Sequence, residues 1–477
     1  MKKICAVFVF FGFLIFGPCV FADPAIPATD LAWYREIQDI RGINLNHLDA
    51  DSHGDAGETL STRFINDPSF LANLNAMGWN FFRLPVVWSR FAGPGNVLDE
   101  VRLQTAIDTV FADLVEKLRT MHTARPELGR IVLDLDFHQY TFGADCGGEG
   151  VPLGILTPEN NPQDGNCIFR EFDRFWKDEN GVQEKWVGFL VEVLKRTMLF
   201  SEKNLDWLTI AIEPMNEPFP GDATGPFVSN PLGAVFRYLK LYGTQNKQSE
   251  DYLIPFYQKA LSGVEDHFSS EFSERQLFLF EPYILDFLNL RLFGGTLLKG
   301  AHYSTAKSLL NFPKSGRPAT WIAAPHFYGA GKDPDLQNAL PKQIVQITAT
   351  YPNAIYNRKQ VLRRASYMAT VFRNVGMETF FGEVGTYDDL LGKHGSKNGY
   401  AEYIDDLKEG ARLYTRGFAW WRYSVDESAE QDTYYLLYGS KAGTHAPTTD
   451  TDQRLKCDTD HDLAKIVFDA CPAFLSE

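Results

Sequence analysis

The segment IEPMNEP, residues 212–218, decides how this chain is organised. An apolar run at residues 207–211 leads into it, and the residues FPG at 219–221 break the chain just after it. An apolar run of this length that is followed by Pro and Gly is typical of a buried strand. The strand therefore presents the amide of Asn216 and the carboxylate of Glu217 at its C-terminal end.

A second apolar strand, TFFGEVG at residues 379–385, carries Glu383 near its end in the same way. The C-terminal ends of parallel strands meet at one face of a sheet or barrel, and such folds place their sites there. Two strands that each end on a glutamate therefore predict a pair of carboxylates, Glu217 and Glu383, facing one pocket.

Strand-like and helix-like segments alternate along most of the chain. The predicted strands are residues 39–45, 79–84, 130–136, 207–212, 276–280, 320–324, 379–382 and 417–421. The predicted helices lie near residues 68–77, 101–121, 183–199, 251–268, 359–374 and 401–413. Eight apolar strands that alternate with helices predict an α/β fold in which a parallel sheet closes into a (β/α)8 TIM barrel.

An open, doubly wound sheet is the alternative arrangement of the same elements. Such a sheet would need a Gly-rich phosphate-binding turn after its first strand, whereas the chain reads NHLDAD at residues 46–51. The barrel is therefore favoured. Long connections follow several strands and should build a cleft at the C-terminal face of the barrel. These connections are residues 138–180, 219–250, 282–318 and 329–354.

The first residues have the pattern of an export signal. Lys2 and Lys3 precede an apolar run at residues 6–16, and VFA at residues 20–22 offers a cleavage site, so residues 1–22 are a predicted signal peptide. The apolar run is shorter than the ~20 residues that a membrane span needs, and no later stretch is apolar enough to span a bilayer. We therefore expect a secreted or periplasmic protein with no transmembrane segment in the mature chain.

The mature chain should hold one large domain. Residues 23–445 are the predicted catalytic barrel, and residues 446–477 are a predicted tail packed on it. Among 477 residues, 46 are Lys or Arg and 61 are Asp or Glu, which gives a formal net charge of -15. An acidic chain does not attract phosphate backbones, so nucleic acid is excluded as a partner, whereas neutral ligands fit such a surface.

Four cysteines remain once the signal peptide is removed. They are Cys146, Cys167, Cys457 and Cys471. An exported chain meets oxidising conditions, and proximity along the sequence favours the pairs Cys146–Cys167 and Cys457–Cys471 among three possible pairings.

Polar or aromatic residues stand at the ends of six predicted strands. They are Arg83, His138, Asn216 with Glu217, His326 with Tyr328, Glu383 and Trp421. Cleavage of a glycosidic bond needs one carboxyl group to protonate the leaving oxygen and a second to attack the anomeric carbon or to activate water. Asn216 can hydrogen-bond a sugar hydroxyl, and Trp421 offers a flat face to a sugar ring. Arg83 and Tyr328 can hold Glu383 ionised and oriented.

Two more glutamates lie at strand ends. Glu281 follows the fifth predicted strand, and we expect it to form part of the wall of the cleft or to contact substrate. Glu213 precedes Glu217 by four residues, and we expect it to be a partner for Arg83.

Taken together, these motifs resemble glycoside hydrolase family 5, the cellulase-type family of (β/α)8 barrels. The matching sequences are RLP at 83–85, HQ at 138–139, NEP at 216–218, HFY at 326–328, GE at 382–383 and Trp421. They occur in the family's order over residues 39–423. The resemblance implies a retaining β-glycosidase that works by double displacement, with Glu217 as acid/base and Glu383 as nucleophile.

The resemblance also implies the roles of the other residues. Asn216 would contact the 2-hydroxyl of the cleaved sugar, His138 and His326 would line the subsite around it, and Trp421 would stack under the ring. The chemistry needs no cofactor and no metal. It implies a β-linked glycan as substrate and no protein partner.

Three functions follow from these motifs. The first is a cellulase-type endo-β-glucanase acting on polysaccharide. The second is a glycolipid hydrolase, because FHQY at residues 137–140 resembles the endoglycoceramidase branch of the family. The third, of another class, is a non-catalytic carbohydrate-binding barrel, which would need a damaged catalytic set.

One polar loop has a metal-like pattern. HLDADSHGD at residues 47–55 begins like a calcium-binding loop, but Leu60 stands where that loop needs its bidentate Glu. We therefore expect a polar loop at the mouth of the cleft, not a metal site.

Overall fold

The computed structural model describes much of the chain between residues 40 and 421. The described residues are 40–45, 47–48, 59–60, 65, 68–139, 146, 148–156, 167–204, 206–219, 249–268, 276–283, 291–292, 295–296, 306–310, 320–328, 358–385 and 397–421. All of them belong to one compact unit, residues 31–477. The predicted signal peptide, the predicted tail with Cys457 and Cys471, and residues 49–55 of the polar loop lie outside the described residues.

Fourteen strands are described. They are β1 Ile40–Asn44, β2 His47–Leu48, β3 Thr59–Leu60, β4 Phe81–Val87, β5 Ile131–His138, β6 Leu208–Glu213, β7 Leu277–Phe280, β8 Arg291–Leu292, β9 Gly295–Thr296, β10 Thr320–Ala323, β11 Phe327–Tyr328, β12 Glu378–Thr379, β13 Phe381–Gly385 and β14 Gly417–Trp420. The α-helices of the described residues are α1 Pro68–Met77, α2 Glu100–Ala106, α3 Ala112–Ala124, α4 Cys167–Trp176, α5 Val182–Glu202, α6 Ile254–Glu265, α7 Lys307–Leu310, α8 Arg358–Arg373 and α9 Lys397–Tyr414. Single π-turns precede α3 and α6, at Ile107–Phe111 and Ser249–Leu253.

The long strands form one parallel barrel. Their hydrogen-bonded order is β13-β14-β1-β4-β5-β6-β7-β10-β12, and β11 pairs with β13. The ring closes because only Phe380 separates β12 from β13, so the two ends of this order are one interrupted strand. The prediction of a (β/α)8 barrel is therefore confirmed, and the open sheet is excluded.

The barrel interior explains where the functional side chains lie. One apolar layer takes residues from every barrel strand, among them Phe81, Val132 and Ala211. Side chains along a strand alternate between its two faces, so residues two positions further along face the same interior. Arg83, Asp134 and Glu213 are those next residues, and the same rule leads from Leu279 to Glu281, from Ala324 to His326 and from Ala419 to Trp421.

Glu383 reaches this interior by a different route. The pairing of β13 with β14 changes register between Phe381 and Val384, next to Glu383. Such an irregularity re-aims the side chains beside it. The predicted strand boundaries miss this change and are also short, because β4 runs on to Val87 and β5 to His138.

The Cys146–Cys167 disulfide is confirmed. It joins the connection that follows β5 to the first residue of α4. Among the helices of the described residues, none is both long and apolar enough to cross a bilayer.

Candidate active site

A single buried arginine organises the C-terminal end of the barrel. The Arg83 side chain is fully buried and donates from Nε and Nη2 to both carboxylate oxygens of Glu213, at 2.9 and 2.7 Å. Its Nη1 donates to Asn44 Oδ1 at 2.9 Å and to Glu383 Oε1 at 2.5 Å. Its Nη2 also donates to Asn216 Oδ1 at 2.8 Å. The expected contact between Arg83 and Glu213 is therefore present, and the arginine connects its own strand β4 to β1, β6 and β13.

The same arginine faces two aspartates of β5. Asp136 Oδ2 lies 3.1 Å from Arg83 Nη2 and 2.6 Å from His138 Nδ1, while Asp134 Oδ2 lies 3.9 Å from Arg83 Nε. Burial opposes the charge of Arg83, but the negative charges of Asp136, Glu213 and Glu383 raise its pKa well above its ordinary value. The guanidinium therefore stays charged inside the barrel.

The single positive charge of Arg83 does not offset burial at every carboxyl group around it. Burial, and then the negative charge of Glu213, raise the pKa of Asp134 well above its ordinary value. Burial also raises the pKa of Asp136 to about 7, although Arg83 opposes this shift. Asp134 is therefore a carboxyl group of this cluster whose protonated form is favoured by burial and by its neighbour Glu213.

Glu217 has a strained backbone that its neighbours hold in place. Its φ is +39°, in the left-handed region that residues other than glycine rarely adopt. Its N–H donates to Glu281 Oε2 at 2.7 Å, and its carbonyl accepts from Gln139 Nε2 at 2.9 Å. Gln139 Nε2 also donates to the carbonyl of Asn216, and Asn216 Nδ2 donates back to the carbonyl of Gln139. These hydrogen bonds hold the segment IEPMNEP, residues 212–218, against Gln139 at the end of β5.

His326 lies between the two glutamates predicted for catalysis. Its Nδ1 is 2.6 Å from Glu217 Oε1 and 3.1 Å from Glu383 Oε2. Burial lowers the pKa of His326 to about 4, and the neighbouring charge of Arg83 contributes to that shift against the opposing effect of Glu383. The ring is therefore neutral at neutral pH. Burial raises the pKa of Glu383 above its ordinary value, whereas His326 and Arg83 lower it.

Glu281 is almost fully buried, with 1% of its surface exposed, as are Asn216 at 2% and Glu383 at 3%. Its expected place in the cleft wall or in contact with substrate stays a prediction. Glu281 lies behind His326, with Oε1 3.0 Å from His326 Nε2. The sequence shows an acid at the end of a strand but not that the strand's stagger places it one layer below the pocket.

Trp421 and Trp420 occupy opposite sides of the barrel wall. Trp420 is fully buried, whereas Trp421 is partly exposed and lies at the C-terminal end. The Trp421 ring stacks on the His138 ring, with centroids 5.7 Å apart and planes 10° apart. Its backbone N–H donates to the carbonyl of Val384 at 2.9 Å, which places it beside Glu383. Burial, followed by the charge of Arg83, lowers the pKa of His138 to about 4.

The structure brings most of the predicted site residues together. Arg83, His138, Asn216, Glu217, His326, Glu383 and Trp421 all lie at the C-terminal end of the barrel. The Tyr328 side chain lies outside the described residues. Three residues that hold this site were not predicted, Asn44, Asp134 and Asp136. The alternation of LDLDFH at 133–138 is the signal that could have revealed the aspartates, because they share a strand face with His138.

A third histidine extends the site. His47 lies with its ring centroid 5.3 Å from that of His138. Its Nδ1 is 3.5 Å from Glu149, and Glu149 in turn accepts from Arg90 Nη2 at 2.7 Å. The imidazole of His47, the first residue of the predicted polar loop, therefore belongs to the rim of the same pocket.

Two groups at this site have the spacing of metal ligands. Glu217, His326 and Glu383 each offer an atom within 4.8 Å of the others, as do Glu213, Glu281 and His326. Within these groups, His326 lies at hydrogen-bonding distance from Glu217, Glu383 and Glu281. In a third group, Cys146 and Cys167 with Glu171, the sulfurs form the disulfide.

Comparison with solved structures supports the fold. The match with a GH5-4 broad specificity endoglucanase from Bacteroides salanitronis covers 91% of this chain and 94% of the endoglucanase chain. The two chains are 14% identical, and the TM-score is 0.51. The match with endo-glycoceramidase II from Rhodococcus sp., solved as a lactosyl-enzyme intermediate, covers 82% of this chain and 73% of the endo-glycoceramidase chain. The two chains are 18% identical, and the TM-score is 0.45. No family model and no curated protein sequence matches the chain. The Bacteroides structure shows the barrel fold, and the function must be argued from the site itself.

Proposed function

We propose that the protein is a retaining β-glycosidase that cleaves O-glycosyl bonds by double displacement. One observation carries this proposal. The carboxyl oxygens of Glu217 and Glu383 that face His326 lie within 4.8 Å of each other. Retaining glycosidases separate their two carboxyl groups by about 5–5.5 Å, whereas inverting enzymes need about 6.5–9.5 Å to admit a water molecule. The spacing favours direct attack by one carboxylate.

The surroundings of the two glutamates favour different roles. Glu383 accepts from the charged Arg83 at 2.5 Å, which holds the carboxylate in place and stabilises its charge. Glu217 Oε1 instead lies 2.6 Å from Nδ1 of the neutral His326 ring, a neighbour that can accept a proton from the carboxyl group or donate one to it. Glu383 is therefore the nucleophile and Glu217 is the general acid and base.

The first step forms a covalent intermediate. Glu383 Oε attacks the anomeric carbon as Glu217 gives its proton to the leaving oxygen, so the aglycone departs neutral and a glycosyl ester remains on Glu383. In the second step Glu217 takes a proton from water, the water oxygen attacks the anomeric carbon, and the ester bond to Glu383 breaks. Asn216, which Arg83 and Gln139 orient, offers its amide to the 2-hydroxyl of the sugar, and Trp421 supports the ring.

The substrate is a β-linked glycan, with a polysaccharide cut by an endo-acting, cellulase-type enzyme as the first candidate. The second candidate is a glycolipid, and it rests on FHQY at residues 137–140, whose Gln139 clamps the acid-bearing segment. The export signal at residues 1–22 supports action outside the cytoplasm on either substrate.

The experiment that tests this function combines two variants with a substrate panel. Wild-type protein, Glu217→Gln and Glu383→Gln are assayed on soluble β-glucans, mannans and glycosphingolipids, with folding checked by circular dichroism. Both variants should lose nearly all turnover while keeping the fold. On a cleaved substrate, NMR should show the β-anomer as the first product.

Three results would contradict the proposal. Near wild-type turnover by either variant would refute its role, and initial release of the α-anomer would refute double displacement. Binding without turnover across the panel would instead support a non-catalytic carbohydrate-binding barrel.

A further inference from the structure

Glu281 has no part in the two chemical steps, yet it touches the acid from two directions. Its Oε2 accepts from the backbone N–H of Glu217 at 2.7 Å, and its Oε1 lies 3.0 Å from His326 Nε2. The opposite nitrogen of the same ring, Nδ1, lies 2.6 Å from Glu217 Oε1. The two carboxyl groups therefore lie against opposite nitrogens of one imidazole. The Nδ1 contact is a hydrogen bond, whereas the Nε2 contact is short but not aligned as one.

A neutral imidazole carries one proton on one of its two nitrogens. If Nε2 carries it, the ring donates to Glu281 and accepts at Nδ1 from a protonated Glu217. If Nδ1 carries it, the ring donates to an ionised Glu217 and accepts at Nε2 from a protonated Glu281. Both arrangements contain the same number of protons. One converts to the other when the ring turns to align Nε2 with Glu281 and each proton crosses its own contact, 3.0 Å at Nε2 and 2.6 Å at Nδ1.

We propose that Glu281, His326 and Glu217 form a proton relay, in which Glu281 is a positioning residue that sets the tautomer of His326 and so decides whether Glu217 carries its proton. This inference rests on the proposed function of Glu217 as acid and base. In the free enzyme the relay holds two protons, one on the ring and one shared between the two glutamates.

The proton count closes over the reaction. When Glu217 protonates the leaving oxygen, one proton leaves with the aglycone and only the ring proton remains. Glu281 and Glu217 are then both ionised, while Glu383 has lost its charge to the glycosyl ester. The attacking water returns one proton through Glu217, and the relay regains its second proton as Glu383 is released.

The environment of Glu281 favours the proton-bearing form. Burial, followed by the negative charges of Glu213 and Glu217, raises the pKa of Glu281 well above its ordinary value. Arg83 opposes this shift and Glu383 adds to it. The Tyr257 hydroxyl accepts from the Glu281 N–H at 3.0 Å, so it fixes the backbone and leaves the carboxyl group to the relay.

The same charged groups surround the ring. His326 faces Glu383, Arg83, Glu213 and His138. The charges of Glu383 and Glu213 favour a protonated ring, whereas burial, Arg83 and His138 oppose one and prevail. The ring therefore keeps a single proton through the cycle, as the relay requires.

Glu281→Gln tests the relay because glutamine fits only one of its two arrangements. The amide oxygen can accept from the Glu217 N–H, and the amide NH₂ can donate to His326 Nε2. The ring proton is then fixed on Nδ1, where it donates to an ionised Glu217. Glu217 should remain competent as a base but lose much of its capacity as an acid.

The assay compares two aglycones on the glycone that the panel selects. A substrate with a poor leaving group needs acid assistance and should lose roughly 10²-fold in kcat/KM with Glu281→Gln. A dinitrophenyl glycoside needs no proton and should lose only about threefold. The alkaline limb of the kcat/KM profile should move to lower pH, because the fixed Nδ1–H stabilises the ionised form of Glu217.

Tyr257→Phe is the matched control, because the hydrogen bonds of the Tyr257 hydroxyl within the described part of the chain are to main-chain atoms of Glu281 and Met215. It should lower the thermal midpoint without changing the ratio of the two kcat/KM values. Glu281→Asp keeps a carboxyl group and should recover part of the acid-dependent rate, and it replaces Glu281→Gln in the assay if the glutamine variant does not fold.

Equal losses on both substrates, or no loss on either, would overturn the relay. If Glu217→Gln and Glu383→Gln were still inactive, the proposed function would stand without it. Turnover of the poor leaving group by Glu217→Gln would overturn both.

Discussion

Arg83 Nη1 donates to Glu383 Oε1 across 2.5 Å at a place where both side chains are almost fully shielded from solvent. The guanidinium makes this bond while its other two nitrogens bind both oxygens of Glu213. Only a planar fork with several donors can do both at once, so the position of the nucleophile depends on the shape of the arginine as well as on its charge.

Arg83→Lys should therefore damage both activity and stability. An ammonium group keeps the charge but cannot reach Asn44, Glu213 and Glu383 together, so buried acceptors are left unpaired. We expect a loss of about 3 kcal/mol in the free energy of unfolding. We also expect at least a 10²-fold fall in kcat, because Glu383 is no longer held in position. Urea unfolding and steady-state kinetics measure the two effects.

Arg416→Lys is the control for that substitution. Arg416 also forms a two-pronged pair, with Glu378, but the two side chains are 26% and 39% exposed. Its replacement should cost less than about 1 kcal/mol and leave kcat unchanged. Equal effects of the two substitutions would show that Arg83 has no special role.

The sequence pattern was sufficient for the barrel and for the residues of the pocket. Alternating apolar strands and helices predict the ring, and strand endings predict Arg83, Glu217 and Glu383 at one face, because parallel strands must end together. Apart from the Arg83–Glu213 pair, the contacts below the pocket were not predicted. That Glu281 lies behind His326 depends on the stagger between β7 and β10, and periodicity along one strand carries no information about stagger between strands.

The protonation states were also beyond the sequence. Asp134 is an ordinary aspartate in the pattern LDLDFH, and only its burial beside Glu213 raises its pKa well above the usual range. The positive φ of Glu217 was likewise not predictable, because nothing in NEP indicates a glutamate in the left-handed region. The hydrogen bonds that hold this conformation come from Gln139 and Glu281, at the ends of two other strands.

Asp134→Asn should make the free energy of unfolding less sensitive to rising pH. The folded-state pKa of Asp134 is above its unfolded value, so the native state holds a proton that the unfolded state releases. Stability is therefore lost as pH rises from about 4, the ordinary aspartate range, through the raised pKa. An amide is permanently neutral and has no such proton to release. Urea unfolding between pH 5 and 8 should show a slope smaller by up to about 1.4 kcal/mol per pH unit.

Asp136→Asn provides the comparison on the same strand. Asp136 also has a raised pKa, about 7, but it contacts both Arg83 and His138. Its amide should therefore cost stability at every pH, in contrast to Asp134→Asn. A slope for Asp134→Asn as steep as that of the wild type would contradict the raised pKa of Asp134.

Gly417→Ala should disrupt the closure of the barrel. Gly417 has a φ of +133°, and a Cβ there would lie 2.0 Å from the carbonyl oxygen of Ile40, its partner on β1. The strained backbone and the clash together should cost about 3 kcal/mol or more. Gly188, which is exposed on α5 with nothing within 4 Å of an added Cβ, is the control. Gly188→Ala should stabilise the protein by about 0.8–1 kcal/mol. Thermal midpoints that fall equally would contradict this interpretation.

The two adjacent tryptophans should separate substrate binding from folding. Trp421 is partly exposed and lies against His138 at the pocket, whereas Trp420 is buried in the core. Trp421→Ala should reduce kcat/KM for the glycan about tenfold, mainly through KM, because a sugar ring loses its stacking surface, and the thermal midpoint should change little. Trp420→Ala should instead cost about 3–5 kcal/mol of stability through the cavity that it leaves. Steady-state kinetics and urea unfolding on both variants make the comparison, and a larger change in KM for Trp420→Ala than for Trp421→Ala would show that Trp421 is not the stacking residue.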